Sequence, residues 1–390
     1  MAALPVTIGI WALSVSVPVA IEAYQAADKI FVSPVARDSL VGTIPPTPVV
    51  PEGAIIGSAT WVPPVGAGDT PNTPAATVTP TSTAVPRPTT PGVTPTAAPP
   101  TATPYPKWDG DDPLHILLLG VDTRPTDTGA PRSDTIIVVR VDPAAKRVDM
   151  FSIPRDLLVA IPGFSTGEKV NAAYPWGELY EVEGGGPRLI MDTIELNFGI
   201  HIDHFATVDI AGMERIVDTI GGVIVDVKAP LKDDQYPTYD YGYTRAFFST
   251  GLQRLNGVQA VQYARTRHSD GDYKRSERQQ ELLLAIRSQI LTTGIISELP
   301  QLISQVGDAL RTDLSPQQAL SLARLAQELP REQIYSHSLV PYTQAAIINE
   351  GWYLVGNWEA LRWLAQNLVD DPDATSNPAL TPTETAPVEE

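Results

Sequence analysis

The chain predicts a single three-layer α/β/α domain, its central mixed sheet flanked by helices, after an N-terminal membrane segment and a disordered Pro/Thr-rich stalk. Three observations predict this. Short apolar runs alternate with segments of helical period across residues 112–369, the pattern of strands layered with helices. Just before them lies a tract dominated by Pro, Thr and Ala. The first 21 residues are mostly apolar and carry no charge.

Met1 to Ile21 is about the length needed to cross a bilayer. Pro5 and Pro18 weaken it without forbidding it, since membrane helices tolerate Pro. No Lys or Arg precedes it, which departs from the positive flank of a signal peptide or an inside-anchored helix. The tract that follows favours a membrane anchor or signal-like segment over a buried helix, and it is placed at 1–27. The linker is placed at 28–106. Between Pro45 and Pro106 fall seventeen of the 38 prolines, with only Glu52, Asp69 and Arg87 charged. Pro fixes φ and removes a donor, so helix or sheet is not expected there. At the polyproline rise this stretch reaches about 190 Å. Its Thr residues suit O-glycosylation. The last twenty residues, 371–390, repeat this composition with acids and read as a disordered tail.

The folded domain is placed at 107–370. His115 to Gly120 reads as a buried strand, Thr135 to Val141 and Arg147 to Ile153 as two more. Pro187 to Asn197 has helical period, and Phe205 to Val208 is a short strand. Ile210 to Ile220 is an amphipathic helix stopped by Gly221-Gly222, with a strand at Val223 to Val227. Ala260 to Thr266 reads as a strand, followed by a long helix from Ser276 to about Thr292. Two more helices are expected at Ser315 to Glu328, opened by Asp313-Leu-Ser-Pro, and at Trp358 to Leu368.

The whole chain has a formal net charge of -18. That balance excludes general nucleic-acid binding, which wants a basic face. Cys is absent, so disulfides, thiolate nucleophiles and Cys-ligated metals are excluded too. Against this background Arg265, Arg267, Lys274, Arg275 and Arg278 crowd into one segment. Like charges placed close together cost energy unless an anion sits among them, and planar guanidinium groups suit the paired oxygens of phosphate or pyrophosphate. On a strand, Arg265 and Arg267 share a face; at a helix start, Arg275 and Gln279 share another. The loop from His268 to Asp272 would bring the two pairs together.

Three strand ends also present charge: Gly120-Val-Asp122, Arg132-Ser-Asp134, and Ser152-Ile-Pro-Arg155-Asp156. Ligands of open α/β sheets bind at such strand ends. Carboxylates facing arginines and a pyrophosphate make a natural Mg²⁺ site. Two other patterns are decoys. Gly163-Phe-Ser165-Thr-Gly167 matches a nucleophile elbow but lacks its strand and helix, and Pro162 precedes it. His201 and His204 sit in no zinc-binding pattern and read as local polar contacts.

These segments together resemble the LytR-CpsA-Psr family. The matching pieces are Leu119-Gly-Val-Asp122-Thr-Arg124, Arg132-Ser-Asp134-Thr-Ile-Ile, Ser152-Ile-Pro-Arg155-Asp156, Lys169-Val-Asn171-Ala-Ala-Tyr174, Ile216 to Val223, Leu255 to Ala260, and Tyr263-Ala-Arg-Thr-Arg267 with Gly271 to Gln279. They keep the family's order and span roughly 114–285. The resemblance implies a transferase of cell-wall biogenesis. Such an enzyme moves a glycopolymer with its phosphate from a polyprenyl-pyrophosphate carrier to peptidoglycan. It implies Mg²⁺ as cofactor, with Mn²⁺ able to substitute, held by Asp122 and Asp134. It implies pyrophosphate binding by Arg132, Arg155, Arg265, Arg267, Arg275 and Gln279, with Asp122, Asp134, Arg155 and Arg267 as the catalytic set. The implied partners are the lipid-linked glycan, peptidoglycan and the membrane, with no nucleic acid. The implied location is the cell membrane, with the catalytic domain on the cell-wall side. The expected basic cytoplasmic segment is missing at the N-terminus.

Some alternatives stay open on sequence. A Mg²⁺-dependent hydrolase would give the same bond to water. A non-catalytic module would only tether anionic glycans through the arginines. The acceptor of the hydroxyl proton, Asp122 or Asp156, is unassigned. Ile190, Ile194, Ile216 and Ile220 are candidates both for a lipid slot and for plain core.

Overall fold

The computed structural model describes residues 55–56, 110, 112–123, 129–239, 242–267, 271–293 and 307–367. The expected membrane segment, most of the linker, Arg124, residues 268–270 and the tail lie outside the described residues. Among the described residues no helix is long and apolar enough to cross a membrane.

The chain forms a mixed α/β fold around a six-stranded sheet. In the linker, β1 (Ile55–Ile56) pairs antiparallel with a strand far along the chain, through Ile55↔Ile347 and Ile56↔Ala346. That corrects the expectation that nothing between Pro45 and Pro106 joins a sheet. The reason is local: residues 52–62 hold no Pro, so two β-branched residues there keep their backbone donors.

Next come β2 (Leu114–Val121), β3 (Ser133–Asp142) and β4 (Arg147–Ser152), joined as an antiparallel meander. Their side chains alternate between two buried faces. Leu117, Leu119, Ile136 and Val138 belong to one core; Ile116, Ile137, Val141 and Met150 belong to another. A sheet buried on both faces needs such near-continuous apolar runs. The short pair β5 (Leu158–Val159) and β6 (Glu168–Lys169) follows, then α1 (Ala173–Leu179) and α2 (Gly185–Phe198). Helix α2 buries Ile190, Ile194 and Phe198 in the first core. Strand β7 (His204–Asp209) lies parallel to β2, and Asp209 caps α3 (Ile210–Thr219) by accepting from the Gly212 N–H. Gly221 and Gly222, both with φ near +80°, end that helix as expected.

Strands β8 (Val223–Val227), β9 (Leu231–Pro237), β10 (Tyr243–Phe248) and β11 (Gly251–Leu255) form two small ribbons, β8 with β11 and β9 with β10. Their apolar residues join Val217, Ile220, Tyr263 and Leu282 in a third core. Then come α4 (Gly257–Arg265) and α5 (Gly271–Thr293). Here the expected strand at Ala260 to Thr266 is overturned. Asn256 and Gln259 form a capping box, and Gly257, Ala260, Val261, Tyr263 and Ala264 are buried with helical spacing. A Cβ on Gly257 would meet the Glu214 carbonyl oxygen at 2.2 Å, so α4 crosses α3 with backbones nearly touching. Arg265 therefore closes a helix and Arg267 lies past its cap. They do not share a strand face.

The chain ends through β12 (Leu310–Thr312), α6 (Pro316–Glu328), β13 (Ile334–Ser338), β14 (Thr343–Ile348), β15 (Gly351–Gly356) and α7 (Trp358–Asn367). The strand order of the main sheet is β12-β7-β2-β3-β4-β13, with β7–β2 and β4–β13 parallel. Helices α2 and α7 cover one face; α5 and α6 pack on the other through Leu283, Leu284, Leu322 and Leu325.

Two buried charges hold this assembly. Arg278 on α5 donates from Nε to the Tyr263 carbonyl at 3.0 Å and from Nη2 to the Thr266 carbonyl, satisfying the C-terminus of α4. Asp149 on β4 accepts from Arg147 at 2.7 and 2.8 Å and faces His337 Nε2 at 2.9 Å across β13. Burial would raise the Asp149 carboxyl, but His337 and Arg147 outweigh it and hold it below the usual range. Replacing Asp149 by Ala is expected to cost about 3–5 kcal/mol in urea unfolding, because Arg147 is left uncompensated. The folded carboxyl titrates below its unfolded value of about 3.9. Its contribution is thus complete above that pH and is lost as pH falls through the folded pKa, which unfolding at stepped pH would show. Arg278→Ala should likewise cost roughly 3 kcal/mol, whereas exposed Arg267→Ala should stay within about 0.5 kcal/mol, read by thermal melting.

Candidate functional site

The antiparallel meander brings three charged strand ends to one edge of the sheet. Strands β2 and β4 end there and β3 begins there. The β2–β3 ladder pairs Gly120 with Thr135 and Val121 with Ser133, so Asp134 is the extra residue of a bulge. Bulges re-aim a side chain at a sheet edge. Asp122 follows at once and donates its N–H to the Arg132 carbonyl at 3.2 Å. The two aspartates thus stand on neighbouring strand ends.

Each meets an arginine from elsewhere. Arg155 Nη1 lies 2.9 Å from Asp134 Oδ1, and Arg265 Nη2 lies 2.6 Å from Asp122 Oδ2. Arg155 also donates from Nε to Asp156 Oδ2 at 3.3 Å, and Asp156 Oδ1 takes the Lys169 ammonium at 2.8 Å. Arg265 is further steadied by Tyr236: its guanidinium lies 5.7 Å from the ring centroid and Nη1 is 3.4 Å from the hydroxyl. Burial pushes the Tyr236 hydroxyl up despite Arg265, which keeps it a neutral partner. Burial also raises the Glu214 carboxyl, which accepts from Tyr239 at 3.0 Å.

Asp134, Arg155, Arg275 and Gln279 line one cleft together with Ser152, Asp156 and the apolar Val340 and Leu354. Arg275 is only 6% exposed there. Helix α5 is pinned over this edge by Gln280, whose amide donates to Ser152 Oγ at 2.7 Å and to the His337 carbonyl at 3.0 Å. The Asp122–Arg265 pair stands on the next strand end. Arg132 and Arg267 lie outside that lining, and Arg267 is exposed.

Sequence reasoning missed three members of this neighbourhood. Lys169 pairs with Asp156 across thirteen positions, and Tyr236 and Gln280 act through contacts with no local pattern. The four isoleucines do not share a slot: Ile190 and Ile194 lie in the first core, Ile220 in the third. Ser165 sits in a loop between β5 and β6, without the elbow's strand and helix. His201 Nδ1 faces Glu195 at 2.8 Å and His204 Nδ1 faces Asp313 at 3.4 Å, local contacts as expected.

Chemically, the arginines suit an anion with several oxygens. Among the described residues no group of three or more His, Asp or Glu is placed to hold a metal. Asp122 and Asp134, on neighbouring strand ends, are the residues that could hold a hard cation, which takes one or two carboxylates and completes its shell with phosphate oxygens and water.

Comparison with known proteins agrees with the motifs. The polyisoprenyl-teichoic acid–peptidoglycan teichoic acid transferase TagU of Enterococcus faecalis is 35% identical over 209 residues, 52% of this chain and 62% of that protein. TagV of Bacillus subtilis, named likewise, is 33% identical over 228 residues, 57% of this chain and 53% of its own. The chain thus spans between about half and three-fifths of the length of these curated relatives. The crystal structure of Bacillus subtilis TagV superposes with a TM-score of 0.54 at 28% identity, covering 67% of this chain and 98% of that one. The structure of TagT bound to LI-WTA gives 0.53 at 27%, covering 67% and 92%. A model of the LytR_cpsA_psr family matches residues 89–368, and the chain belongs to that family.

Proposed function

We propose that this chain is an extracytoplasmic phosphotransferase. It takes a glycopolymer with its linking phosphate from a polyprenyl-pyrophosphate carrier and joins it to a peptidoglycan hydroxyl. The observation that carries the reading is the cleft where Asp134, Arg155, Arg275 and Gln279 meet, beside the Asp122–Arg265 pair. The names of the TagU and TagV relatives support it, as does the likeness to TagT bound to LI-WTA.

In the reaction the acceptor oxygen attacks the glycan-side phosphorus. A new P–O bond forms, and the bond from that phosphorus to the bridging oxygen breaks. Polyprenyl phosphate leaves with the bridging oxygen, and the proton of the acceptor hydroxyl passes to that leaving phosphate, directly or through a carboxylate, Asp122 or Asp156. Such transfers need positioning and charge stabilisation more than covalent help. Arg155, Arg265 and Arg275 are the groups to hold the pyrophosphate oxygens, with Gln279 donating beside Arg275. Arg155 is itself fixed by Asp156, which Lys169 holds in turn, so Asp156 acts as a positioning residue. Asp122 and Asp134 would hold Mg²⁺ or Mn²⁺, which when bound supplies positive charge against the pyrophosphate. Arg132 and Arg267, outside the cleft lining, complete the proposed pyrophosphate set on the strength of the family motifs they belong to. The proposed lipid carrier and the apolar stretch from Met1 to Ile21 support a membrane-side placement.

The test uses the purified full chain with a synthetic polyprenyl-pyrophosphoryl sugar, Mg²⁺ and peptidoglycan oligomers, followed by mass spectrometry. The expected product is a sugar joined to the glycan by a phosphodiester. Arg155→Ala and Asp134→Asn should each slow it by about 100-fold or more. A chelator should stop it and added Mg²⁺ restore it. Free sugar phosphate without a glycan adduct would identify a hydrolase instead, and lipid binding without turnover a tethering module.

A further inference from the structure

Beyond the arginine cleft, β15 offers a surface the transfer chemistry does not use. The Leu354 N–H donates to the Asp156 carbonyl at 2.9 Å, and Leu354 lines the cleft. Trp352 lies two residues away, on the same face of that strand. It is 38% exposed, and its cross-strand neighbour Ile347 on β14 is 48% exposed. Over the indole, 5.9 Å from its centroid, stands the Lys169 ammonium, the same group that binds Asp156. Tyr353 flanks Lys169 at 5.3 Å and meets Glu168 Oε2 at 3.4 Å through its hydroxyl. Its ring packs instead against Leu158, Ala346 and Ile348.

The ion pairs link neighbouring segments. Arg265–Asp122 stands at the end of β2, Asp134–Arg155 joins β3 to the end of β4, and Asp156–Lys169 reaches β6, where the Lys169 ammonium stands over the part-exposed indole. A flat aromatic face beside a cation and carboxylates suits a pyranose ring. The C–H groups lie on the indole and the hydroxyls or a carboxylate meet the charged groups.

We propose that Trp352, with Lys169 and Ile347, is a subsite for a sugar ring of the acceptor glycan strand. This rests on the transferase reading and adds where the acceptor docks. The acceptor is favoured over the donor sugar for two reasons. The platform is open, as a long polymer passing across it requires. Its Lys169 ammonium has three donors, one of which goes to Asp156, which suits the hydroxyls and carboxylates that peptide-bearing sugars carry. Trp352 stands outside the lining of the arginine cleft, so its role is binding rather than chemistry.

The test compares the full chain with Trp352→Ala and Trp352→Phe, using a lipid-free peptidoglycan tetrasaccharide and isothermal titration. Trp352→Ala should weaken binding about tenfold, with Trp352→Phe close to the parent. Unchanged thermal melting confirms that each variant folds. Equal binding by the parent and Trp352→Ala overturns the subsite, whether or not transfer is seen. In the transfer assay, Trp352→Ala should raise the acceptor KM and leave the donor KM and kcat alone. A rise confined to the donor KM overturns the assignment to the acceptor. Absence of transfer by the parent sinks the transferase reading alone, and the titration still decides the subsite.

Discussion

Arg155 is the hinge of this molecule's chemistry. It stands between two carboxylates, Asp134 at 2.9 Å and Asp156 at 3.3 Å, and Asp156 is closed off by Lys169. These groups come from β3, the end of β4 and β6, segments far enough apart in sequence that only the fold brings them together. Partly buried charges are costly to hold unless paired and hydrogen-bonded. The row of pairs meets that condition while its middle members, Asp134, Arg155 and Asp156, line a cleft. A guanidinium fixed at both edges loses little further freedom when an anion arrives, and that is the practical meaning of a preorganised site.

The scaffold supports this arrangement by separating apolar from charged work. Three larger cores share the load among the described residues: one under α2 and α7, one under α5 and α6, one among α3, α4 and the small ribbons. The first reaches Val121 and Ile153 at the strand ends, and the charged Asp122 and Arg155 stand just beyond them. Helix α5 belongs to two cores at once, and it also delivers Arg275, Arg278, Gln279 and Gln280. Two of these build structure: Arg278 satisfies the end of α4, and Gln280 ties the helix to β4 and β13. Of the cations crowded into this segment, Arg275 lines the cleft while Arg278 satisfies the end of α4.

Much of the fold was legible because its strands are buried on both faces. A run such as Ile116-Leu-Leu-Leu119 has few other fates, and Gly221-Gly222 and the Ser315–Gln318 box are local punctuation that tertiary context leaves alone. The misreading at Ala260 to Thr266 has an equally local cause. Four small or apolar residues in a short run fit either period, and the capping box at Asn256 decides for helix. The hairpin β14–β15 was not foreseen. Its residues are partly polar, and their pairing with Ile55–Ile56 joins positions hundreds of residues apart.

By itself the sequence determined which residue types gather in which order, and from that the family, the mixed sheet and the set of arginines and aspartates. Those are properties of nearest neighbours and of side-chain chemistry, which a linear string carries. Only the tertiary structure decided which of them meet. It turned Arg278 to the end of α4, placed Arg155 beside Asp134, brought Lys169 and Tyr236 to the neighbouring charges, and set Trp352 near the cleft. Contacts between distant segments depend on a bulge, a helix crossing and a strand register, and none of these leaves a local mark in the chain.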